Sequence, residues 1–330
     1  MNRVDVNFEG AIATIFGGAG TWGAEIAKQL LNQNAKEVRI FSRNESLQVA
    51  MRIKFNDKRL KFIIGDIREY KSVKDACFGA NYVFHCAALK HVKICEMQPV
   101  EAVKTNIIGA MNVIDACIDN DVAICVNISS DKAARPVCLY GKTKSVAESL
   151  FIAANNQTIN TDFINFRSGN IFGSSGSVVP IWIKQIADNN RIAVTGENMK
   201  RFFITVQDAV TMTFKAMGLS DRGEIFVPKM DCFYISSLAE VLVEKYGNKE
   251  TKIEYTNPFQ YEREKEYLIT PEEIQRTIET DDFYIIYPLI EILTVNYEIS
   301  GSKINKEITM NDAEVSDLDK LRELAKKAGY

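Results

Sequence analysis

The apolar run AIATIF (11–16) leads without a break into Gly17-Gly18-Ala19-Gly20-Thr21-Trp22-Gly23, and the helical run AEIAKQLL follows. That order constrains the fold more than any other feature. Gly17 and Gly18 permit a tight turn, Gly20 lets backbone amides approach a pyrophosphate, and Gly23 lets the helix pack closely on the sheet. A glycine pattern alone is weak, but between a strand and a helix it predicts a dinucleotide site. Gly17, Gly20, Thr21, Trp22 and Gly23 are its candidate phosphate-side residues.

The rest of the first half repeats the alternation. EVRIFS (37–42), LKFIIG (60–65), NYVFHCA (81–87), VAICVNIS (122–129) and DFINFRS (162–168) are rich in β-branched and aromatic residues, as strands buried on both faces should be. Helical runs over 21–33, 97–119 and 140–154 supply the crossovers that parallel strands require. The pattern predicts an α/β protein with a Rossmann-type doubly wound parallel sheet. Residues 1–170 are expected to form the cofactor domain, with 201–227 returning to it. Residues 171–330, with their irregular Gly, Pro and Asn punctuation, are expected to form a smaller α/β substrate lobe and a helical tail.

The end of the second strand bears on cofactor choice. An acidic residue there would bind the ribose 2′-hydroxyl of NAD, whereas this chain has Ser42-Arg43-Asn44. The Arg43 guanidinium suits a 2′-phosphate, which favours NADP over NAD; Glu45 in the acidic role is the alternative. Asp66, after the third strand, is a candidate adenine-side contact.

Chemistry concentrates after the fifth strand, at Ser129-Ser130-Asp131-Lys132 and at Tyr140-Gly141-Lys142-Thr143-Lys144. The Tyr-x-x-x-Lys spacing puts phenol and ammonium on one helix face. A phenol loses its proton near pH 10, so a cationic Lys144 is expected to help Tyr140 take a proton from a sugar hydroxyl that Ser130 holds. Together with the glycine turn, this set is specific to the short-chain dehydrogenase/reductases. Asp131 and Lys132 add a second acid and base, which a dehydratase needs. Once C4 of a sugar is a ketone, Lys132 removes the C5 proton and Asp131 protonates the departing C6 hydroxyl.

Bulk composition narrows the remaining classes. The chain is 46% hydrophobic and 25% charged, with no apolar run long enough to span a bilayer, and Asp5 and Glu9 interrupt any signal-peptide pattern. A cytoplasmic protein with no membrane partner is expected. A net charge of −3 gives no basic field for nucleic acid. Seven cysteines without CxxC spacing and only two histidines, His85 and His91, predict buried thiols and no metal site.

With FGGAGTWG, FSRNE, FIIGDIRE, HCAALKHV, VKTNIIGAMNVIDAC, SSDKAARPVCLYGKTK, FRSGNIFGSSGSVVP, RFFITVQDAV and EREKEYLITPEE in place, the chain resembles the bacterial UDP-N-acetylglucosamine 4,6-dehydratases. The likeness spans nearly the whole chain and is strongest to the soluble 5-inverting enzymes that open pseudaminic acid synthesis. It implies an extended short-chain dehydrogenase/reductase fold, a nucleotide-sugar substrate and a homo-oligomer. It carries the Asp-Lys pair onto Asp131 and Lys132 beside Tyr140 and Lys144. It implies cofactor contacts at Ile67, Ala87, Ala88 and Lys90, and substrate contacts at Lys90, His91, Asn106, Asn170, Ser177, Val178, Arg201 and Arg263. The pattern is broken at Ser168, at Ser175 and at Phe259, where an Arg-Pro-Gly-Glu-Lys run aligns with Phe259–Arg263; either Arg263 or Lys265 supplies the missing charge, or the nucleotide, the sugar or both differ from UDP-N-acetylglucosamine. An NDP-sugar 4-epimerase or 4-reductase that makes no use of Lys132 is the nearest alternative. A dinucleotide-binding protein without turnover is a more distant one.

Overall fold

The computed structural model describes residues 6–196, 198–257, 266–292, 295 and 297–330. Its first half comprises β1 (Ile12–Phe16), α1 (Thr21–Asn32), β2 (Glu37–Ser42), α2 (Glu45–Phe55), β3 (Leu60–Ile64), α3 (Tyr70–Cys77), β4 (Tyr82–His85), α4 (Val92–Met97), α5 (Pro99–Val103), α6 (Gly109–Asp119), β5 (Ile124–Ser130), α7 (Leu139–Ala154) and β6 (Asp162–Ser168). β2 and β6 span the residues predicted from the apolar pattern. The helix predicted over 97–119 is instead divided. Pro99 can begin a helix but cannot donate within one, so α5 starts afresh there, and a π-type turn over Lys104–Ile108 separates it from α6.

The chain continues through β7 (Asn170–Ile171), α8 (Val178–Asn189), β8 (Arg191–Thr195), β9 (Lys200–Ile204), α9 (Val206–Leu219), β10 (Ile225–Pro228), β11 (Asp231–Tyr234), α10 (Ile235–Tyr246) and β12 (Lys252–Thr256). It ends with β13 (Tyr267–Ile269), β14 (Thr277–Glu279), β15 (Phe283–Ile286), β16 (Ser302–Lys303), β17 (Ile308–Thr309) and α11 (Leu318–Lys327).

One sheet runs in the order β16-β14-β15-β10-β6-β5-β4-β1-β2-β3. From β3 to β10 all pairs are parallel, and β15, β14 and β16 join antiparallel. Within it the order 3-2-1-4-5-6 is that of a doubly wound dinucleotide fold, with a switch point between β1 and β4. Of the 201–227 expected to return to this domain, α9 packs on the sheet and β10 joins it, while β9 does not. Lys200–Ile204 pairs with β7 and β11 in a separate three-stranded sheet, while the large sheet gains strands as late as Lys303. Two- and three-residue strands are too short for periodicity to reveal.

Helices cover both sheet faces. Ile26 and Leu30 of α1 and Val210 and Met217 of α9 pack on Ile15, Phe84 and Phe166, while Val73, Val113 and Phe151 pack on Phe16, Val83 and Phe163. A third cluster, including Trp182, Phe203, Phe233, Leu238 and Leu321, joins α8, β9, β11, α10 and α11. Burial of β4, β5 and β6 on both faces explains why apolar and polar residues do not alternate along them. Among the described residues no helix is long and apolar enough to cross a membrane, and no cluster of His, Cys, Asp or Glu has the makings of a metal site. All seven cysteines are free, six of them buried.

Candidate active site

At the C-terminal ends of β1 and β4, two turns meet. Gly17 adopts φ +78°, and a Cβ there would lie 2.8 Å from the Ala87 amide nitrogen. At Gly23 a Cβ would fall 2.4 Å from Gly18, so only glycine lets α1 start against the turn. Helix α1 begins after Gly20 with no side-chain cap, leaving first-turn amides open above the sheet. Glycine cradle and open amides together fit a dinucleotide pyrophosphate. The Thr21 hydroxyl accepts a hydrogen bond from Ser175 N (3.1 Å), and Trp22 turns inward, edge-on to Phe166.

Farther along the same edge, the ends of β2 and β3 are framed by charge. Ser42 closes β2 and its hydroxyl accepts from Gln48 Nε2 (3.0 Å). Arg43 is half exposed, 3.8 Å from Asp66 Oδ2. Burial works to raise the Asp66 carboxyl, but the Arg68 hydrogen bonds, at 2.6 and 2.9 Å, outweigh it and hold the pKa below its ordinary value. Ile67 is buried beneath Gly109, and its carbonyl accepts from Asn112 Nδ2.

The candidate catalytic turn follows β5, a short 3-10 segment over Asp131–Ala133. Ser130 Oγ donates to Asp131 Oδ1 (2.8 Å) and accepts from Lys132 N (3.3 Å). Lys132 Nζ lies 3.1 Å from Asp131 Oδ1 and 3.0 Å from Glu266 Oε1. Burial opposes the Lys132 charge, but the two carboxylates outweigh burial and carry its pKa above the ordinary lysine value. Asp131 is raised by burial and by the Glu266 charge; for Glu266, burial pushes upward, but Lys132 and Arg201 prevail and lower it.

Tyr140 and Lys144 lie in the first two turns of α7, whose N-cap is Cys138, its Sγ accepting from Gly141 N. Burial pushes Tyr140 up to about 12, and the cation that works against this is Lys132. Lys144, expected in that role, lies one helical turn beyond Tyr140 in α7. Lys144 is buried, donates to Ile128 O (2.6 Å) and Asn127 Oδ1 (3.3 Å), and is itself pulled down to about 8 by burial.

Two cavities adjoin this turn. One, of about 220 Å³, is lined by Asp131, Lys132, Cys138, Asn170, Arg201 and Glu266. The other, of about 270 Å³, shares Asn170 and Arg201 and continues along Ser177, Val178, Trp182 and Thr195. The Ser177 hydroxyl is buried without a partner among the described residues. Lys90 donates to Ser175 O (2.5 Å), and the His91 ring lies where a Cβ on Gly176 would touch it. These contacts, with that of Ser175 to Thr21, draw the loop before α8 over the turns that follow β1 and β4. Ala88 belongs to the latter.

Asn106 does something other than the sugar contact expected. It is buried, its Oδ1 accepts from Leu89 N (2.8 Å), and its amide donates to Leu89 O and Thr143 Oγ1. With those groups used, it fixes the loop that carries Lys90. Ser168 is likewise buried at the end of β6. Phe259, Arg263 and Lys265 lie outside the described residues. Glu266 went unassigned in the sequence because no local spacing ties it to Asp131 and Lys132. Its only signal was membership of the matching segment EREKEYLITPEE.

Strand order, glycine turn and the Ser130, Tyr140 and Lys144 set define a Rossmann-type enzyme of the extended short-chain dehydrogenase/reductase group. The chain belongs to the polysaccharide biosynthesis protein family, whose model matches residues 13–288. It is 37% identical over 304 residues to the UDP-N-acetylglucosamine 4,6-dehydratase (inverting) of Campylobacter jejuni subsp. jejuni, covering 91% of this chain and 90% of that protein. It is 36% identical over 327 residues to a UDP-glucose 4-epimerase of Rickettsia canadensis, covering 96% and 95%. Among solved structures, Pen from Bacillus thuringiensis superposes with a TM-score of 0.91 at 35% identity, over 98% of this chain and 99% of that one.

Proposed function

We propose that the protein is an NADP-dependent nucleotide-sugar 4,6-dehydratase acting on UDP-N-acetylglucosamine, with inversion at C5. The observation that carries this reading is the second acid–base pair, Asp131 and Lys132, which lines one cavity with Asn170 and Arg201 and is joined to the oxidation set by the Ser130–Asp131 hydrogen bond. A bound nicotinamide dinucleotide supplies the oxidation at C4, the later reduction at C6, and a positive ring charge that favours the Tyr140 phenolate. Ser130 holds the C4 hydroxyl while Tyr140 takes its proton. Lys132 then removes the C5 proton, now acidified by the ketone, and Asp131, whose raised pKa suits a proton donor, protonates the C6 hydroxyl as it leaves. The nucleotide occupies the second cavity, where Asn170, Ser177, Val178 and Arg201 meet it.

Arg43 supports the NADP preference because its half-exposed guanidinium, held by a 3.8 Å ion pair to Asp66, can turn to a 2′-phosphate. A homo-oligomer is supported by exposed apolar side chains on adjoining helices, Val100 and Val103 of α5, Met111 of α6 and Val146 of α7. Residues 1–170 form the cofactor domain in this reading and the later chain the substrate lobe, with the enzyme working in the cytoplasm. An epimerase is the second reading, favoured by the Rickettsia relative's name and by its coverage of nearly the whole chain. Incubation with a panel of NDP-sugars separates the two. Dehydration removes one water from the product mass, reduction adds two hydrogens, and epimerisation leaves the mass unchanged.

A further inference from the structure

Glu266 stands outside the short-chain dehydrogenase set, yet the catalytic turn leans on it. It immediately precedes β13, is 6% exposed, and places Oε1 3.0 Å from Lys132 Nζ. Its other oxygen, Oε2, has no hydrogen-bond partner among the described residues and lies 3.6 Å from Arg201 Nε. Between Glu266 and Asp131, Lys132 is an ammonium, and an ammonium cannot accept a proton from C5. Among the described residues, the acceptors within hydrogen-bond reach of Lys132 Nζ are those two carboxylates. Asp131 must itself carry a proton to the leaving hydroxyl. That leaves Glu266.

Resting on the dehydratase reading above, we propose that Glu266 is the proton acceptor that converts Lys132 from a clamped ammonium into the base of the elimination. It is a positioning residue that acts through Lys132. The proton moves from Lys132 Nζ to Glu266 Oε1, leaving a neutral amine beside a neutral acid and requiring no other reactant. The amine takes the C5 proton, the C5–H electron pair becomes the C5=C6 double bond, and the C6 oxygen departs as water with the proton of Asp131.

Arg201 governs the timing because it lines both cavities. A diphosphate in the second cavity competes with Glu266 for the guanidinium, and a carboxylate that loses a counter-charge gains affinity for a proton. A sugar in the first cavity also expels water from Lys132, which favours a neutral pair over two ions. Among the described residues, the remaining titratable or charged groups facing the turn are Tyr140 of α7, Cys138 at its N-cap and Arg135, the last occupied by Glu272 at 2.9 Å.

The test uses the cofactor-loaded full chain and solvent-deuterium exchange at C5 of UDP-N-acetylglucosamine. In the wild type, exchange is expected to be flat across neutral pH because the proton is passed internally. In Glu266→Gln the opening oxidation persists, but exchange falls by about 10²-fold or more. It then climbs with pH as solvent takes over deprotonation of Lys132. Glu266→Asp, which keeps a carboxylate, regains part of the rate. Lysine side-chain NMR without sugar gives a readout independent of turnover: the Lys132 resonance, assigned by its loss in Lys132→Ala, titrates at lower pH in Glu266→Gln than in wild type. Wild-type exchange with a flat profile in Glu266→Gln overturns the proposal, as does an unmoved Lys132 titration. Absence of water loss in the wild type would instead refute the dehydratase reading, and the NMR titration would still decide whether Glu266 sets the proton state of Lys132.

Discussion

Lys132 and Lys144 flank Tyr140 in sequence, yet the fold gives them opposite electrostatic settings. Lys144 lies inside α7 with a backbone carbonyl and an amide oxygen as acceptors, so burial prevails and its pKa falls to about 8. Lys132 sits on a short turn between two carboxylates, one from its own turn and one from a segment distant in the chain, so charge prevails and its pKa rises. The difference teaches that residue type and spacing nominate a group for chemistry, while its acceptors decide when it holds a proton.

The largest test of this contrast is functional. Lys132→Ala should lower water loss by about 10²–10⁴-fold while the opening oxidation still appears in nicotinamide absorbance. Lys144→Ala should stall the oxidation itself, along with Tyr140→Phe. If both lysine variants stopped at the same step, the division of labour would be wrong.

Next in size is Arg167, which is buried between Glu148 and Glu273 at 2.8 Å from each. It also donates to Leu268 O and so ties the segment carrying Glu266 to β6 and α7. Arg167→Ala strands two buried carboxylates and should cost about 3–5 kcal/mol in denaturant unfolding. A loss within about 0.5 kcal/mol, the usual range for surface changes, would show that the triad is not what anchors that segment.

Protonation of Lys144 should also register in stability. Its folded pKa of about 8 lies below the ordinary 10.5, so the unfolded chain binds the proton more tightly. Between those values the folded state therefore gains stability as pH rises, by about 3 kcal/mol at most in the ligand-free protein. Lys144→Met should remove that rise. Lys132 has the opposite sign: its contribution is present below the ordinary lysine value and is lost as pH climbs through its raised folded pKa.

The smallest effect concerns the far end of the cofactor site. Arg43→Asp should reverse a preference for NADPH over NADH, removing a charged hydrogen bond worth about 1.5–3 kcal/mol, on the order of tenfold to a hundredfold in affinity. An unchanged preference in titration would take Arg43 out of the site.

What was legible in the sequence was what local pattern encodes. β2 and β6 begin and end where their apolar runs do, the glycine turn sits between β1 and α1, and Tyr140 and Lys144 share α7. The breaks at Pro99 and Lys104–Ile108 were hidden inside a run that reads as one helix. The π-type turn brings Asn106 to Leu89, a tertiary contact that helix periodicity does not carry. Short antiparallel strands such as Thr277–Glu279 gave no period to detect. Glu266 was invisible for a related reason: its role exists only because the chain folds back beside Lys132 and Arg201, and no spacing rule spans that distance.

The claim that this cleft eliminates water rests most directly on one measurement, the mass of UDP-N-acetylglucosamine after incubation with the purified protein and NADP in deuterated water. A dehydratase working through Asp131 and Lys132 will release one water and leave deuterium at C5. A product of unchanged mass, with no deuterium at C5, would contradict it and make the epimerase reading the correct one.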